Sequence, residues 1–254
     1  FLMFSPGGDA QEVQCEARQF VAYKVALDLL KRAMHVEIYT SNIEYLKSYE
    51  KNFDLQGLIR LHPVFHLTQE IWNRRTSKAK PNTHRLLLYV GDAKASKGFL
   101  KLPSLCLELI RLTHWSLTIH YGLDDRLVNR EINDAAQALR DLSNSNNRIE
   151  IISDYLDEKS MHKLFQASQF LVMQYDENAY GYRTSGVIWQ AAAIGLPVLS
   201  VGDTLASRES RRLSPGSNVF KSTQELISYL ASDKAHSLSQ NHPSPFETYA
   251  ARIF

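Results

Sequence analysis

The feature that most constrains the fold is a regular alternation of short apolar runs and helical patterns from Arg85 onward. Six runs predict strands, at Leu86–Val90, Ser116–His120, Ile149–Ile152, Gln169–Gln174, Pro197–Val201 and Asn218–Phe220. Five patterns predict the intervening helices, at Leu100–Thr113, Val128–Ser143, Glu158–Ala167, Gly186–Ile194 and Thr223–Ser232. Strands alternating with helices predict an α/β fold with a doubly wound, mostly parallel sheet, which binds ligands at the carboxyl ends of its strands.

The chain before Arg85 carries a shorter series of the same kind. Its elements are predicted strands at Phe1–Phe4, Val36–Thr40 and Leu58–Leu61, a helix between Val13 and Leu30, and a helix at Asn42–Phe53. Few strands for a complete domain, and a start at Phe1 rather than methionine, suggest a piece of a longer protein.

The two series are separated by a segment without periodicity. Its basic run, Asn73–Asn82, is of a kind that can hold nucleic acid, but it has no interleaved aromatic residues, which favours a solvated linker. We therefore predict three parts. Residues 1–66 are the C-terminal portion of one Rossmann-like domain, residues 67–84 are the linker, and residues 85–254 are a second Rossmann-like domain.

Composition excludes several classes of protein. With 29 Lys and Arg against 27 Asp and Glu, the net charge of +2 predicts a local anion site and no nucleic-acid partner. Cys15 and Cys106 are the only cysteines, which excludes a disulfide framework and is compatible with reducing cytosol. No apolar run reaches the roughly 20 residues of a transmembrane helix. G-x-G-x-x-G, Walker A, H-E-x-x-H, C-x-x-C, G-x-S-x-G and D-x-D motifs are all absent.

The loop after the first strand of the second series is one candidate anion site. Gly91 and Gly98 permit close approach to the backbone or unusual dihedral angles, and Lys94 and Lys97 add two ammonium groups that suit a diphosphate. A polar turn with two solvated lysines is the alternative.

The loop after the Gln169–Gln174 strand is the second candidate. Thr184 or Ser185 is a suitable N-cap for the following helix, whose free N–H groups and dipole favour an anion. Arg183 adds a guanidinium suited to phosphate or carboxylate. Gln190, about one turn inside that helix, is placed to reach a sugar or ribose hydroxyl; the alternative is a polar residue at the helix surface.

A third loop, Ser153–Glu158, follows the Ile149–Ile152 strand. Its Asp157, or Ser160 just beyond it, is expected to cap the next helix, and Tyr155 is placed to stack on a nucleobase. His120, at the end of another strand, is more typical of a structural hydrogen bond than of a catalyst.

One segment resembles a known family. Arg183–Leu199 reads Arg-Thr-Ser-Gly-Val-Ile-Trp-Gln-Ala-Ala-Ala-Ile-Gly-Leu-Pro-Val-Leu, which resembles the nucleotide-sugar segment of retaining GT-B glycosyltransferases, especially glycosyltransferase family 4. The pairs Val90-Gly91 and Lys97-Gly98 are similar to the opening loop of that family's C-terminal domain. The resemblance implies a GT-B fold of two Rossmann-like domains.

The resemblance also implies roles for individual residues. Lys97 and Arg183 would stabilise the leaving diphosphate, with Lys94 as a further basic group. The implied donor-binding set comprises Gly91, Lys94, Lys97, Tyr155, Tyr182, Arg183, Thr184, Ser185, Gly186 and Gln190. Asp92 departs from the family pattern, because an acid beside a diphosphate is unfavourable unless it points away or pairs with Lys94. The two motif glutamates fall at Tyr182 and Gln190, so neither is an acid here.

The activity implied by the resemblance is transfer of a sugar from a UDP-, GDP- or dTDP-sugar to an acceptor hydroxyl, with retention and without metal or another cofactor. A glycan or lipid-linked acceptor, surface-polysaccharide synthesis, a cytoplasmic location and contact with the inner membrane face are part of that expectation. The alternatives are a degenerate, non-catalytic GT-B module and a nucleotide-sugar 2-epimerase, for which Asp154 and Glu177 are the candidate carboxylates.

Overall fold

The computed structural model describes residues 2–3, 22, 24–29, 32, 38–40, 43–53, 56–61, 85–123, 129–181, 183, 185–214 and 216–237. Near the N-terminus, β1 (Leu2–Met3), β2 (Ile38–Thr40) and β3 (Ile59–Leu61) form a parallel sheet in that order. Helix α1 (Ile43–Phe53) connects β2 to β3. We call β1, β2, β3 and α1 the N-terminal unit.

The second sheet has six parallel strands. They are β4 (Leu86–Asp92), β5 (Ser116–Gly122), β6 (Ile149–Ile152), β7 (Phe170–Met173), β8 (Val198–Val201) and β9 (Asn218–Phe220). Their order in the sheet is β6-β5-β4-β7-β8-β9. The chain runs outward from β4 to β6, returns beside β4 with β7, and then runs outward the other way, so the strand order reverses between β4 and β7.

Helices connect these strands, as parallel pairing requires. They are α2 (Leu102–Leu112), α3 (Arg130–Ser145), α4 (Glu158–Ala167), α5 (Glu177–Tyr180), α6 (Gly186–Ala193), α7 (Leu205–Leu213), α8 (Thr223–Leu230) and α9 (Lys234–Ser237). Two short 3-10 turns, Ala95–Lys97 and Phe99–Lys101, precede α2. Five of these helices begin at a side chain that accepts a backbone hydrogen bond: Asn129, Asp157, Asp176, Thr204 and Ser222.

Both faces of the six-stranded sheet are buried. Along β4, Leu87 and Tyr89 face a core packed by α2, α3 and α8, whereas Leu88 and Val90 face a second core packed by α4, α6 and α7. This alternation follows from the period of two along a strand. Helices therefore cover both faces, and the predicted α/β, doubly wound parallel sheet is confirmed.

The predicted elements agree closely with those observed. Every predicted strand and helix after residue 85 is present, with ends within two residues of the prediction. Helices α5, α7 and α9 were not predicted. Of the helix expected between Val13 and Leu30, residues 24–29 are helical and most of the rest lies outside the described residues, as does the predicted linker at residues 67–84.

Candidate functional site

The loops after β4 and β7 lie side by side at the point where the strand order reverses. Ligands of doubly wound sheets bind in the crevice that such a reversal creates. The Asp176 backbone N–H donates to the Ser96 carbonyl at 2.9 Å, which joins the two loops directly. The first two loops selected from the sequence are thus neighbours.

Gly98 sets how closely the two loops approach. Its φ of 77° lies in the left-handed region, and a Cβ at this position would lie only 2.1 Å from the Gln174 carbonyl oxygen. Any larger residue would push the lysine loop away from β7. The close approach at Gly98 is therefore one between two segments of protein backbone, the lysine loop and Gln174.

Lys94 and Lys97 converge on Asp92. The Lys97 Nζ donates to Asp92 Oδ2 at 2.9 Å, and the Lys94 Nζ lies 3.1 Å from the same oxygen. The hydrogen bond from Lys97 is the main cause that holds the pKa of the Asp92 carboxyl below its ordinary value. Of the two arrangements considered for Asp92, pointing away or pairing with Lys94, the structure shows pairing, and Lys97 takes part in it as well.

The Lys97 side chain lies against β4. A Cβ at Gly91 would lie 3.4 Å from the Lys97 Cδ, which is van der Waals distance, so the aliphatic stem passes alongside Gly91. The Tyr89 hydroxyl donates to the Lys97 carbonyl at 3.3 Å, and burial raises the pKa of Tyr89 above its ordinary value. The Lys97 side chain is 17% exposed, whereas Asp92 is 49% exposed. Lys97 is therefore positioned by its surroundings.

Helix α6 begins at the same edge of the sheet. Ser185 is its N-cap residue but makes no side-chain capping hydrogen bond; its Oγ lies 3.0 Å from the Tyr175 hydroxyl instead. Burial raises the pKa of Tyr175 to about 12. Gly186 is exposed, and a Cβ there would meet nothing within 4 Å among the described residues. There is thus open space beside Gly186 at the start of α6, and the first N–H groups of a helix, which have no partners within the helix, favour an anion.

Tyr180 is affected by the charge of a basic residue from each of the two loops. Burial raises its pKa, while the positive charges of Lys94 and Arg183 and a hydrogen bond with Ser96 act in the opposite direction. Lys94 and Arg183 thus both lie near the Tyr180 phenol, and Arg183 is exposed. Tyr182 and Thr184, the remaining predicted members of this loop, lie outside the described residues.

Tyr155 and Gln190 line one cleft. Its volume is about 290 Å³, and its walls are formed by Tyr155, Leu156, Glu158, Met161, His162, Phe165, Gln190 and Ile194. Tyr155 is 93% exposed, which is unusual for a large aromatic ring. Asp157 accepts a hydrogen bond from the Ser160 N–H at 2.7 Å, so the predicted helix cap is confirmed and falls on Asp157.

The remaining polar candidates make structural contacts. The His120 Nε2 lies 3.2 Å from the Asp154 carbonyl oxygen. Glu177 accepts a hydrogen bond from the Asp203 N–H at 2.9 Å and packs against Gly202. Glu177 thus ties the loop after β7 to the loop after β8. The two carboxylates considered for epimerisation therefore belong to different loops, and Glu177 has a structural partner.

Sequence reasoning missed the aromatic residues that support the site. Tyr175 holds the N-cap residue of α6, and its ring centroid lies 4.4 Å from that of Tyr180. Three tyrosines within a loop, at 175, 180 and 182, were the available signal. An aromatic-rich loop at a ligand edge indicates internal packing that fixes its shape.

The described residues offer neither a metal cluster nor a membrane span. Within them, no three His, Cys, Asp or Glu side chains are grouped so that they could hold a metal ion. None of the helices in that part of the chain combines the length and apolar character required to cross a bilayer.

Comparison with known proteins gives matches at the level of structure. No family model and no curated protein matches the chain. A trehalose-6-phosphate synthase, studied for glycosyl transfer with retention, has a TM-score of 0.55 and 13% identity over 88% of this chain and 58% of its own. The chain has the GT-B-type fold.

Two further structures extend the comparison. The catalytic domain of starch synthase IV from Arabidopsis thaliana, bound to ADP and acarbose, has a TM-score of 0.52 and 9% identity over 85% of this chain and 54% of its own. The E. coli trehalose-6-phosphate structure bound with UDP-2-fluoro glucose has a TM-score of 0.55 and 11% identity over 80% of this chain and 53% of its own. The chain thus spans little more than half the length of these GT-B structures.

Proposed function

We propose that the chain is the donor-binding part of a glycosyltransferase that transfers a sugar from a nucleoside-diphosphate sugar to an acceptor hydroxyl. The observation that carries the proposal is that Lys94 and Lys97 meet at Asp92 in a loop hydrogen-bonded to the loop that carries Arg183 and leads into α6, at the reversal of strand order. Three cations and a helix dipole suit a group with two adjacent phosphates.

The proposed role of this site in catalysis is stabilisation of the leaving diphosphate. Negative charge accumulates on the phosphates as the bond to the sugar breaks, and preorganised cations lower the energy of that state. Lys97 and Arg183 are the proposed catalytic residues. Because the cations and the helix end supply this neutralisation, we propose a reaction that needs no metal ion or other cofactor.

The nucleoside is proposed to extend from the diphosphate into the cleft at α4 and α6. Gln190 is exposed at the cleft wall, and its amide can donate to or accept from a ribose hydroxyl. The exposed ring of Tyr155 offers a stacking surface to the base. UDP-, GDP- and dTDP-sugars are all candidates for the donor.

The finer assignments rest on the resemblance of Arg183–Leu199 to family 4. We propose that transfer retains the configuration of the sugar and that the acceptor is a glycan or lipid-linked glycan in surface-polysaccharide synthesis. Such an acceptor would place the protein in the cytoplasm at the inner face of the membrane. Residues 1–66 are proposed to belong to the acceptor-side domain and residues 85–254 to the donor-side domain.

Isothermal titration calorimetry with UDP, GDP and dTDP tests the proposal. Lys97→Ala and Arg183→Ala each remove a charge-assisted hydrogen bond worth about 1.5–3 kcal/mol, so each is expected to weaken binding by about 10- to 100-fold. Arg130→Gln is a matched control, because Arg130 is an exposed cation on α3 whose ion-pair partner lies on the same helix. Failure of all three nucleotides to bind the unmodified chain would refute the function.

A second candidate function is a degenerate GT-B module that binds a nucleotide without transferring a sugar. Tyr182 and Gln190 replace the two motif glutamates, and the ion pairs of Asp92 partly neutralise the lysines. Turnover of radiolabelled nucleotide sugars by the full-length protein separates the two functions. Turnover that Gln190→Ala abolishes would exclude the degenerate module.

A further inference from the structure

We propose that Arg208 is a positioning residue that couples the N-terminal unit to the donor loop, the segment Gly181–Gly186 that leads into α6. The inference rests on the proposed function, since it assigns that loop to a nucleotide. Arg208 lies on α7 and donates from Nε to Glu44 Oε1 at 2.8 Å and from Nη2 to Glu44 Oε2 at 3.0 Å. Glu44 belongs to α1, so this bidentate pair joins the N-terminal unit to α7.

The same guanidinium also contacts the donor loop. Nη2 donates to the Gly181 carbonyl at 2.9 Å, and Nη1 lies 3.2 Å from Asp203 Oδ1 in the loop after β8. One planar group therefore contacts three segments of the chain. Gly181 is the first residue of the donor loop, so the position of Arg208 bears directly on where Arg183 and the start of α6 lie.

The surroundings of Arg208 fix α7 to the N-terminal unit. Leu205, one turn earlier on α7, is fully buried in a cluster with residues of that unit, among them Tyr49 and Ile59. Glu209 is buried beside Arg208 and pairs with Arg212. Movement of the N-terminal unit is thus transmitted to α7, and the guanidinium carries it to Gly181.

The fork of an arginine is required for this role. A lysine at position 208 offers one point charge and could not hold both carboxylate oxygens and the Gly181 carbonyl in one plane. The Glu44 carboxylate, as the main cause, raises the pKa of Arg208, so the group remains charged throughout the range in which the protein is folded. The coupling is expected to be reciprocal, because a ligand that orders the donor loop also stabilises the Arg208–Glu44 pair.

A double-mutant cycle tests the coupling without touching the nucleotide site. Glu44→Gln keeps the size of the side chain, removes its charge and lies on the N-terminal unit. We expect it to raise the Kd for the nucleoside diphosphate that binds best among UDP, GDP and dTDP by about three- to tenfold. In an Arg208→Gln background, Glu44→Gln is expected to have no further effect, and Arg208→Lys is expected to behave like Arg208→Gln.

The matched control is Arg130→Gln, which removes an arginine whose ion pair with Asp134 lies within α3. It is expected to leave the Kd unchanged. An unchanged Kd in Glu44→Gln would overturn the coupling, and so would effects of Glu44→Gln and Arg208→Gln that simply add. If thermal unfolding shows that Arg208→Gln does not fold, the Kd of Glu44→Gln alone tests the coupling.

Amide hydrogen exchange of the ligand-free protein separates failure of the coupling from failure of the proposed function. Glu44→Gln is expected to accelerate exchange over residues 181–188 while leaving α2 unchanged. Faster exchange in a protein that binds no nucleotide would support the coupling and refute the nucleotide site. Unchanged exchange would overturn the coupling whether or not nucleotide binds.

Discussion

The replacement Asp92→Asn gives the most direct test of how the lysine loop binds an anion. Asp92 accepts a hydrogen bond from Lys97 at 2.9 Å and lies 3.1 Å from the Lys94 Nζ. Asparagine has nearly the same shape and keeps a carbonyl acceptor for Lys97, but it removes the negative charge. If a diphosphate binds the lysines, Asp92 opposes it, and the variant is expected to bind nucleotide more tightly than the wild type.

The size of the effect follows from the geometry. A phosphate oxygen held at about 2.8 Å from the Lys97 Nζ would lie no more than about 5.7 Å from Asp92 Oδ2. Coulomb repulsion at that distance is about 0.7 kcal/mol in bulk water and about 3 kcal/mol at an effective dielectric constant of 20. Because Asp92 is 49% exposed, screening favours the lower end. We therefore expect Asp92→Asn to improve the free energy of nucleotide binding by about 1 kcal/mol, which corresponds to roughly a fivefold decrease in Kd.

Calorimetry at pH 7 measures the change with the tightest of UDP, GDP and dTDP. Asp92 is ionised at this pH because its pKa is held below the ordinary value. Asp134→Asn is the control, since it removes an exposed carboxylate that pairs with Arg130 on α3. The gain in nucleotide affinity caused by Asp92→Asn is expected to be smaller in 0.5 M salt, where charges are screened within about 4 Å. Weaker binding by Asp92→Asn would show instead that the carboxylate organises the lysines for the ligand.

Three further predictions concern stability, the nucleoside cleft and pH. Gly98→Ala is expected to destabilise the protein by more than about 3 kcal/mol, because the added Cβ would meet the Gln174 carbonyl at 2.1 Å with φ at 77°. Tyr155→Ala is expected to weaken nucleotide binding by about 1–3 kcal/mol through lost stacking, with little change in urea unfolding because the ring is exposed. The depressed pKa of Asp92 predicts that its stabilising ion pairs are fully present above about pH 4 and are lost as the pH falls through the folded-state pKa. The difference in unfolding free energy between wild type and Asp92→Asn is therefore expected at pH 7 and should vanish in acid.

Each of these predictions has an internal comparison. Gly57→Ala has a similar positive φ, but its Cβ would meet nothing within 4 Å in the part of the chain that the structure describes, so it is expected to lower the free energy of unfolding by only about 1 kcal/mol. If Gly98→Ala and Gly57→Ala lower the free energy of unfolding equally, backbone strain rather than the Gln174 contact makes Gly98 necessary. Tyr155→Phe should retain nucleotide affinity if stacking is responsible. A difference in unfolding free energy between wild type and Asp92→Asn that does not decrease as the pH is lowered from 7 to 2 would rule out the ion pairs as its source.

Periodicity and strand-edge reasoning were sufficient for the sheet and for which loops meet. The strands after residue 85 are short apolar runs, and parallel strands place all their carboxyl ends at one edge. Lys97 and Arg183 are far apart in sequence, but the rule that carboxyl ends of parallel strands share one edge was enough to place both in candidate anion-binding loops. The contact between Asp176 and Ser96 is its direct structural consequence.

Helix α7 shows where the same reasoning fails. Its sequence, Leu-Ala-Ser-Arg-Glu-Ser-Arg-Arg-Leu, is mostly polar, yet Ser207, Glu209 and Ser210 are buried. Hydrophobic periodicity cannot identify a helix whose buried face is polar. Its capping box uses Ser207 at the third helical position in place of the usual Glu or Gln, so the start signal was also atypical. The helix that carries Arg208 was therefore not predicted.

The outcome for Asp92 illustrates a second kind of limit. The sequence placed an acid beside two lysines, but it left open whether the carboxylate points away from them or pairs with them. That choice depends on the path of the loop, which the close approach of Gly98 to Gln174 determines. A contact between residues 76 positions apart is not visible in local sequence, so the ion pairs of Asp92 required the structure.

The chain that leads from Asp176 through the donor loop to Ser185 is held at three described residues, and this bears on how it binds an anion. The Asp176 N–H is held by Ser96, the Gly181 carbonyl by Arg208, and the Ser185 hydroxyl by Tyr175. Each contact reaches a different element, so Asp176, Gly181 and Ser185 are each positioned before a ligand binds. A loop ordered in advance loses less conformational entropy on binding, and more of the interaction with phosphate then appears as affinity. Because Arg208 is the one of these three anchors that also contacts the N-terminal unit, a change in that unit's position would be felt at the phosphates through Gly181.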